Sequence, residues 1–539
     1  MPKTFTKTIN ISNFYGGIAE TDLDIYSRPG EAEYVQSADL FRSKEFLRPQ
    51  FDMVDDKNGT AFDQPTQGES GQVRGYVKRS GSNNIYAIQF GNDTDPSSIW
   101  RSQLITKSSL TGTWTVVDTE ANDDGAGEPV FGIWEVDGNL YWIHKKTTAG
   151  AAGYLISQYA LGSSTFTEDW DNLNVSAWGS PTVATAATKG GALLHTDGNL
   201  YFWIGRYIGP YDGTSKPSTI TPFALPSNYT IVDAISYGHY ILCAANDGSA
   251  STVTGAARTS KLFLLDPYSN VGIYTFDDIY DTGTYEIQAL ALVEGGVKVI
   301  TALYDYYIWD WSGGNTFIKE KRINVLVTGS TTQFSVRRTA VDVRDNILYM
   351  GMNNSISGFR NGIYAYGRDR IEDPKIVHNA YVNHVDDISV IDYRAVKWIT
   401  DAGNTVLHAS FYDDDAAIYE MSRSSTARDI ANFKYESVFF RPWRNMKSQC
   451  IQATFYHDEL GASDRFQLRW KVDDSDDAYT EIDTSIGTTG AVETVLTNNM
   501  AGLTNNFPKG FRHKFEYIIT GGEVRIEGIK LKFRTVSQE

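Results

Sequence analysis

Two stretches of this chain are near copies of each other and begin about 60 residues apart. They read "IWEVDGNLYWIHK" from Ile133 and "LLHTDGNLYFWIG" from Leu193. Each has an apolar run, an Asp-Gly-Asn turn and an aromatic run, which is the pattern of a β-hairpin. Repetition at a period of this size is typical of folds that stack copies of one small sheet.

Related units recur along the chain between about residues 74 and 423, and with the first pair they number seven. The other five begin "RGYVKRSGSNNIYAIQF", "IVDAISYGHYILCAAND", "IQALALVEGGVKVITAL", "RRTAVDVRDNILYMGMNN" and "YRAVKWITDAGNTVLHASFY". Most continue into a third strand, and the spacing matches four short strands with their loops. Four tight turns are expected at residues that tolerate positive φ: Asp137-Gly138, Asp197-Gly198, Gly295-Gly296 and Gly403-Asn404.

The strands after these turns are apolar at consecutive positions, as in "NLYFWI". Such a strand is buried on both faces, and in an antiparallel sheet this requires another sheet on each side. A ring of radially packed sheets meets the requirement for every unit. The pattern therefore predicts a β-propeller of about seven blades, which we place at residues 71–425.

The segments on either side of the repeats differ from them. Residues 1–70 have turn formers and little periodicity, which indicates an extended N-terminal arm. Within this arm, "FLRPQFDM" is a candidate strand for closing the last blade, because a ring must be latched to remove its edges. Residues 430–539 contain strands with clear alternation, as in "RFQLRWKV", and predict a C-terminal jelly-roll-like β-sandwich. The predicted fold class is all-β.

Charge and cysteine content exclude several functions. The formal charge is −18 and no run of Lys or Arg occurs, so specific nucleic-acid binding is not expected. One role that involves DNA remains open: acidic residues could form the wall of a channel through which DNA passes without binding. The two cysteines, Cys243 and Cys450, form neither a disulfide framework nor a zinc pattern. The chain starts without a signal-peptide pattern and has no run of 18 apolar residues, so we expect a cytoplasmic origin and no membrane span.

A search for chemistry finds no catalytic, cofactor-binding or metal-binding residues that can be assigned. The zinc-protease, P-loop and nucleophile-elbow motifs are absent. His378 and His384 are interpreted as solvated loop residues. The carboxylates of Asp413–Asp415 and Asp473–Asp477 are interpreted as acidic loop tips, with a calcium site as the alternative. The aromatic run from Tyr304 to Trp311 is interpreted as blade core, with sugar stacking as the alternative.

Three segments carry a resemblance to a known class of proteins. They are "INISNFYGGIA" from Ile9, "KYESVFF" from Lys434 and "VRIEGIKLKFR" from Val524. With the order of arm, propeller and sandwich, the chain resembles structural tail proteins of tailed bacteriophages. The resemblance implies a virion component in a tail nozzle, a tail hub or a fibre-attachment position, without catalytic residues or cofactors. It also implies assembly in the host cytoplasm.

These observations lead to one main functional prediction and two alternatives. The main prediction is a non-enzymatic virion tail protein that forms oligomers and contacts other tail proteins through its arm and sandwich. Its propeller would then line the DNA exit path or face a host glycan or receptor. The first alternative is a carbohydrate- or protein-binding propeller, acting as a lectin or adhesin. The second is a glycan-degrading enzyme, which requires two carboxylates facing one cleft.

Overall fold

The computed structural model consists almost entirely of β-strands. It describes residues 5–11, 14, 17–18, 31–41, 47–56, 72–90, 100–121, 130–146, 153–179, 190–211, 213–247, 260–269, 276–281, 286–302, 306–311, 317–323, 335–353, 361–368, 370–371, 373, 375–382, 391–413, 418–443, 445–473 and 479–536. The chain divides into two compact units. The propeller unit comprises Val54–Asn361 and Ile388–Arg423, and the sandwich unit comprises Met1–Met53, Gly362–Asp387 and Ser424–Glu539.

The N-terminal region contributes four strands and is followed by five complete blades. The first strands are β1 (Thr6–Ile11), β2 (Gly17–Ile18), β3 (Glu31–Gln36) and β4 (Phe51–Asp55). Blade 1 contains β5 (Gln72–Lys78), β6 (Ile85–Phe90), β7 (Trp100–Lys107) and β8 (Thr115–Ala121). Blade 2 contains β9 (Val130–Val136), β10 (Asn139–Lys146), β11 (Gly153–Ala160) and β12 (Thr165–Asn172). Blade 3 contains β13 (Gly190–Leu194), β14 (Leu200–Ile204), β15 (Tyr207–Tyr211) and β16 (Phe223–Ala224), and two short 3-10 helices flank it, η1 (Ser176–Trp178) and η2 (Pro217–Thr219).

The remaining blades follow in chain order. Blade 4 contains β17 (Tyr229–Tyr237), β18 (Tyr240–Asp247), β19 (Ser260–Leu265) and β20 (Phe276–Asp281). Blade 5 contains β21 (Glu286–Val293), β22 (Gly296–Ala302), β23 (Tyr306–Trp311) and β24 (Phe317–Ile323). The propeller unit holds the inner hairpin of blade 6, β25 (Ser335–Arg344) and β26 (Ile347–Asn353), while β27 (Gly362–Gly367) and β28 (Ile376–Tyr381) belong to the sandwich unit. Blade 7 contains β29 (Ile391–Asp401), β30 (Asn404–Asp413) and β31 (Ile418–Arg428).

The first strands of the seven blades form a closed ring. Each contacts the first strand of the next blade, and β29 of blade 7 contacts β5 of blade 1. Blade 7 takes its fourth strand, β4, from the N-terminal region. The Asp56 backbone N–H, directly after β4, donates to the Met421 carbonyl at 2.9 Å. The last three residues of "FLRPQFDM", Phe51–Met53, thus lie in the strand that completes this blade.

The cores of the propeller lie between neighbouring blades. All five residues of β14 are buried. Tyr201 and Trp203 pack in a core shared with blade 4, whereas Leu200, Phe202 and Ile204 pack in a core shared with blade 2. Because successive side chains of a strand point to opposite faces, one apolar strand serves two cores. This packing is what the consecutive apolar positions predicted.

The sandwich unit is built from two sheets, and N-terminal strands belong to both. Its later strands are β32 (Lys434–Ser437), β33 (Ser448–His457), β34 (Arg465–Val472), β35 (Thr480–Ile486), β36 (Glu493–Thr497), β37 (Lys509–Gly510), β38 (His513–Gly521) and β39 (Ile526–Thr535). One sheet has the order β1-β39-β33-β36, and the other contains the run β3-β32-β38-β34-β35. Aromatic rings meet between the sheets, with Phe455 and Phe466 centroids 5.1 Å apart.

The predicted fold class, a propeller followed by a sandwich, is confirmed, and local details are corrected. The described parts of the arm include β1 and β3, which pair with β39 and β32 in the same chain. Two turns place positive φ one residue earlier than predicted, at Glu294–Gly295 and Ala402–Gly403. The two compact units cut the chain differently from the predicted domains, because residues 1–53 and 424–539 cluster together. No helix among the described residues has the length and apolarity needed to cross a bilayer.

Candidate functional site

Breaks in strand register recur in the first strands of the blades, near the propeller axis. The pairing of the first strand with the second shifts between Val73 and Gly75, between Ile231 and Asp233, and between Ile287 and Ala289. The same occurs between Tyr393 and Ala395, and also in β9 and β25. A bulge inserts one residue and redirects its side chain. The inserted residues include Arg74, Val232, Gln288 and Arg394.

Most of these bulges surround one cavity of about 290 Å³. It is lined by residues from the first strands of blades 1 to 6: Arg74, Val130, Phe131, Gly190, Val232, Gln288, Val336, Arg337, Arg338 and Thr339. The first strands of blades 1 to 6 converge near the axis, so side chains that are far apart in the sequence line the same cavity. It combines guanidinium, amide and hydroxyl groups with one aromatic ring, which is the mixture that ligand pockets use to orient a bound molecule.

Arg338 crosses the cavity from blade 6 to blades 2 and 3. Its Nη2 donates to the Phe131 carbonyl at 2.7 Å. Its guanidinium carbon lies 4.8 Å from the Trp203 ring centroid and 5.5 Å from that of Trp134. Gly132, at φ +127°, provides the necessary space, since a Cβ there would lie 3.3 Å from Nη2 of Arg338. Burial lowers the pKa of Arg338, and the charge of Asp233 opposes that shift.

Arg337, which directly precedes Arg338 in the chain, is hydrogen-bonded to a carboxylate of blade 7. Its Nε and Nη2 donate to the two oxygens of Asp392 at 2.9 and 2.6 Å. Arg394 reaches the same carboxylate, with Nη2 2.7 Å from Oδ2. Burial acts to raise the pKa of Asp392, but the hydrogen bond and charge of Arg337 and the charges of Arg394 and Arg74 outweigh it and lower that pKa.

Asparagine side chains on the second strands of blades 4 and 6 hydrogen-bond to the first strands of the next blades, beside the bulges. Asn246 donates to the Ile287 carbonyl at 2.9 Å and accepts from the Ile287 N–H at 3.1 Å. Asn353 makes the corresponding pair of contacts with Tyr393 at 3.4 and 2.6 Å. In each case the pinned residue directly precedes the bulge of the next blade. The backbone that presents the cavity residues is therefore fixed before any ligand binds.

A second polar cluster lies between blades 1 and 2. Ligand atoms of Glu120, His144 and Asp169 all lie within 4.8 Å of one another, a composition that could hold a divalent cation. Ser102 and Ser157 donate hydrogen bonds to the two carboxylate oxygens of Glu120. The contacts shown join strands of both blades through a buried polar network. Sequence reasoning did not identify this group, whose members are spread over five strands.

Several residues singled out in the sequence lie elsewhere. His378, expected in a solvated loop, is buried on β28, and burial lowers its pKa to about 4. Asp413 is buried at the end of β30 and so is not an exposed loop tip. Asp473 accepts backbone hydrogen bonds from residues 511 and 512 at 2.8 and 2.9 Å. His384, residues 304–305, 414–415 and 474–477 lie outside the described residues.

The buried aromatic and thiol residues mostly follow their expected structural roles. Ile308 and Trp311 of the run from Tyr304 are buried, as expected for blade core. Trp309 is only partly buried and packs against the apolar cluster of blades 4 and 5 that contains Trp311. Cys243 and Cys450 are buried free thiols.

Sequence reasoning missed the arginines of the axis, although a signal was present. Three of the seven repeated units have arginine at their first or second residue: "RGYVK", "RRTAV" and "YRAVK". Aligned on their turns, these arginines fall at comparable positions in the innermost strand, where side chains converge. In a ring of repeats, residues at the same position of the innermost strand lie close together near the axis. The recurrence of arginine at this position was therefore a sign of a cationic cluster there.

Comparisons with known proteins describe the scaffold. No protein-family model and no curated protein matches the chain. Among solved structures, Raptor from Chaetomium thermophilum is similar at 10% identity and TM-score 0.41, over 71% of this chain and 30% of that one. Trypanosoma rangeli sialidase is similar at 9% identity and TM-score 0.34, over 88% and 94%. An exo-β-1,3-galactanase from Phanerochaete chrysosporium is similar at 10% identity and TM-score 0.32, over 90% and 100%.

The comparison corrects one prediction. The chain was predicted not to be an enzyme because it lacks familiar catalytic motifs. The prediction is wrong in excluding enzymes, since the similar solved structures include glycoside hydrolases and a sialidase. At these identities and TM-scores the likeness concerns the fold and assigns no activity to this chain.

Proposed function

We propose that this protein is a glycan-binding propeller that takes a sugar residue into its axial cavity. One observation carries the proposal: a cavity of about 290 Å³ on the ring axis, where polar side chains from several blades converge. The volume lies at the small end of the range for ligand pockets, which suits one sugar ring better than an extended chain. This corresponds to the first alternative drawn from the sequence.

The chemistry of the lining supports a sugar. A sugar ring presents hydroxyl groups on its rim and C–H groups on its faces. The cavity offers the Gln288 amide, the Thr339 hydroxyl and guanidinium donors, and Phe131 supplies an aromatic ring. Arg338, which contacts blades 2 and 3 from blade 6, adds a guanidinium group to this lining. The predicted role in a virion tail remains a prediction, and glycan binding is compatible with it through host attachment.

A glycan microarray with a cavity-filling variant tests the proposal. The array carries neutral and acidic glycans, and the full chain is applied as wild type, as Gln288→Trp and as Val116→Trp. The first substitution places a bulky ring at an inserted residue in the cavity lining, whereas Val116 lies exposed on β8. Circular dichroism checks that all three chains fold.

The expected result is that wild type and Val116→Trp bind the same glycans and Gln288→Trp binds none of them. Absence of binding by the wild type would overturn the proposal. Equal binding by folded Gln288→Trp would also overturn it, because the ligand would then sit elsewhere. Release of sugars from the bound glycans, followed by mass spectrometry, would identify the chain as a glycosidase.

A further inference from the structure

We infer that the glycan recognised by the axial cavity carries an oxyanion, a carboxylate or a sulfate, and that Arg337 is the residue that selects it. The inference rests on the proposed function, since it names the chemical class of ligand for the same cavity. It goes beyond it because a neutral sugar would satisfy the proposed function and not this inference.

The charge balance around the cavity is the first argument. Three arginines line the cavity, Arg74, Arg337 and Arg338, and its lining residues include no carboxylate. Asp233 and Asp392 act on arginines of this cluster from beside the cavity. The whole chain carries −18, so this cluster has the opposite sign to the molecule. Anions are attracted to such a site and cations are repelled.

Asp392 is shared by Arg337 and Arg394, and its pKa is lowered further by Arg74. Three guanidinium groups therefore act on one carboxylate. Like charges gathered at a partly buried site repel one another and lower stability. A bound oxyanion offsets that repulsion, and guanidinium groups match the geometry of carboxylate and sulfate oxygens.

Exposure distinguishes Arg337 from Arg394, the other arginine that is bound to Asp392. Its side chain is 35% exposed, against 12% for Arg394. Arg338 is fixed against Trp134 and Trp203 and donates to the Phe131 carbonyl. Arg337 thus lines the cavity with an accessible guanidinium group.

Asp392 is a positioning residue in this arrangement. Its two oxygens accept from Nε and Nη2 of Arg337, which fixes the plane of the guanidinium group. A donor whose orientation is already fixed loses little conformational entropy when it binds a ligand. Since Asp392 keeps its charge, it neutralises only part of the arginine cluster.

The experiment compares matched neutral and acidic glycans. Probes are galactosides and lactosides with their sialylated, uronic acid-containing and 6-sulfated counterparts on one array, which separates the carboxylate from the sulfate. The full chain is applied as wild type, Arg337→Gln, Arg337→Lys and Arg79→Gln. Arg79 is a matched control because it follows the opposite end of β5 from Arg74. Thermal unfolding shows whether each variant is folded.

The inference predicts that acidic glycans bind wild type roughly 10- to 150-fold more tightly than their neutral parents, the range of a hydrogen bond to a charged group. Arg337→Gln loses this preference, Arg337→Lys keeps part of it because the charge remains, and Arg79→Gln keeps all of it. The preference also declines as salt is raised.

Three outcomes contradict the inference. Equal binding of neutral and acidic glycans would overturn it and leave the proposed function intact. An unchanged acidic preference in folded Arg337→Gln would overturn the assignment to Arg337. Absence of all binding would overturn the proposed function, and the inference with it.

Discussion

The guanidinium carbon of Arg338 lies 4.8 Å from the ring centroid of Trp203, although the two residues belong to blades 6 and 3. A residue of one inner strand thus packs against the second strand of a distant blade. The contact closes the ring axis with a cation held by an aromatic ring and a backbone carbonyl. We call Arg338 and Trp203 together the floor of the cavity, and their contact makes this floor part of the propeller framework.

Replacing Arg338 should lower stability. Arg338→Met keeps the length of the side chain and removes its charge, the hydrogen bond to Phe131 and the cation–π contacts. We expect the free energy of unfolding to fall by about 2–3 kcal/mol, the range for a charge-assisted hydrogen bond and a desolvated cation–π contact. Urea unfolding measures this, with Arg79→Met as the control. A loss no larger than that of the control would show that Arg338 does not stabilise the ring.

Adding one methyl group next to Trp203 should disturb the same floor. A Cβ at Gly191 would lie 2.3 Å from Cζ2 of Trp203, so Gly191→Ala forces the ring to move. We expect a loss of about 1–3 kcal/mol in the free energy of unfolding, as for other overpacked cores. Gly162→Ala is the matched control, since nothing lies within 4 Å of its Cβ. Equal stability of both variants would contradict the tight packing of the floor.

The buried ion pair at the ring closure gives a third prediction. Lys107 Nζ lies 2.8 Å from Asp56 Oδ2, with side-chain exposures of 0% and 2%. Burial lowers the pKa of Lys107 to about 8, against the opposing effect of Asp56. Lys107→Met leaves the carboxylate buried with less compensation, so the free energy of unfolding should fall by about 3–5 kcal/mol.

The control is Lys397→Met, which removes a half-exposed partner of Asp342 and should cost below about 1 kcal/mol. If the two substitutions cost the same, Asp56 would not be the anchor that fixes β4 in the last blade.

His513 should make the sandwich sensitive to acid. Its Nδ1 accepts from Trp470 Nε1 at 3.1 Å, and its Nε2 lies 2.9 Å from Ser448 Oγ, so the neutral ring fits the site. Burial lowers its pKa to about 4 from 6.5. The unfolded state therefore binds the proton first, and stability is lost as pH falls from 6.5 to 4, by up to about 3 kcal/mol.

Unfolding free energies between pH 7 and pH 4 measure this effect. His513→Gln should reduce the slope in that window, and His239→Gln, at an exposed position, should leave it unchanged. An unaltered slope in His513→Gln would mean that other groups, such as the buried His378, cause the acid response.

The sequence predicted the parts of the fold that depend on repeated burial. Seven copies of an apolar strand following a tight turn required sheets on both sides, and β14 shows this packing. The closing strand was recognisable because a ring needs one and "FLRPQFDM" lies outside the repeats. His378 was misread because its neighbours resemble a loop, whereas pairing of β27 with β28 makes it a strand residue.

The site was harder to predict because it depends on bulges. Arg74 and Gln288 line the axial cavity because one extra residue interrupts the pairing of their strands. A bulge shifts the alternation of side chains by one residue, but in strands that are buried on both faces this shift does not appear as a change between apolar and polar positions. The positions could be related only by aligning the repeats and asking which residues share the innermost strand.

A crystal structure of the full chain with a glycan selected from the array shows directly where the sugar binds. We expect one sugar ring inside the axial cavity, in contact with Phe131, Gln288 and Arg337. A sugar bound on the outer strands of a blade or on the sandwich, with none in the axial cavity, would show that the cavity is not the glycan site.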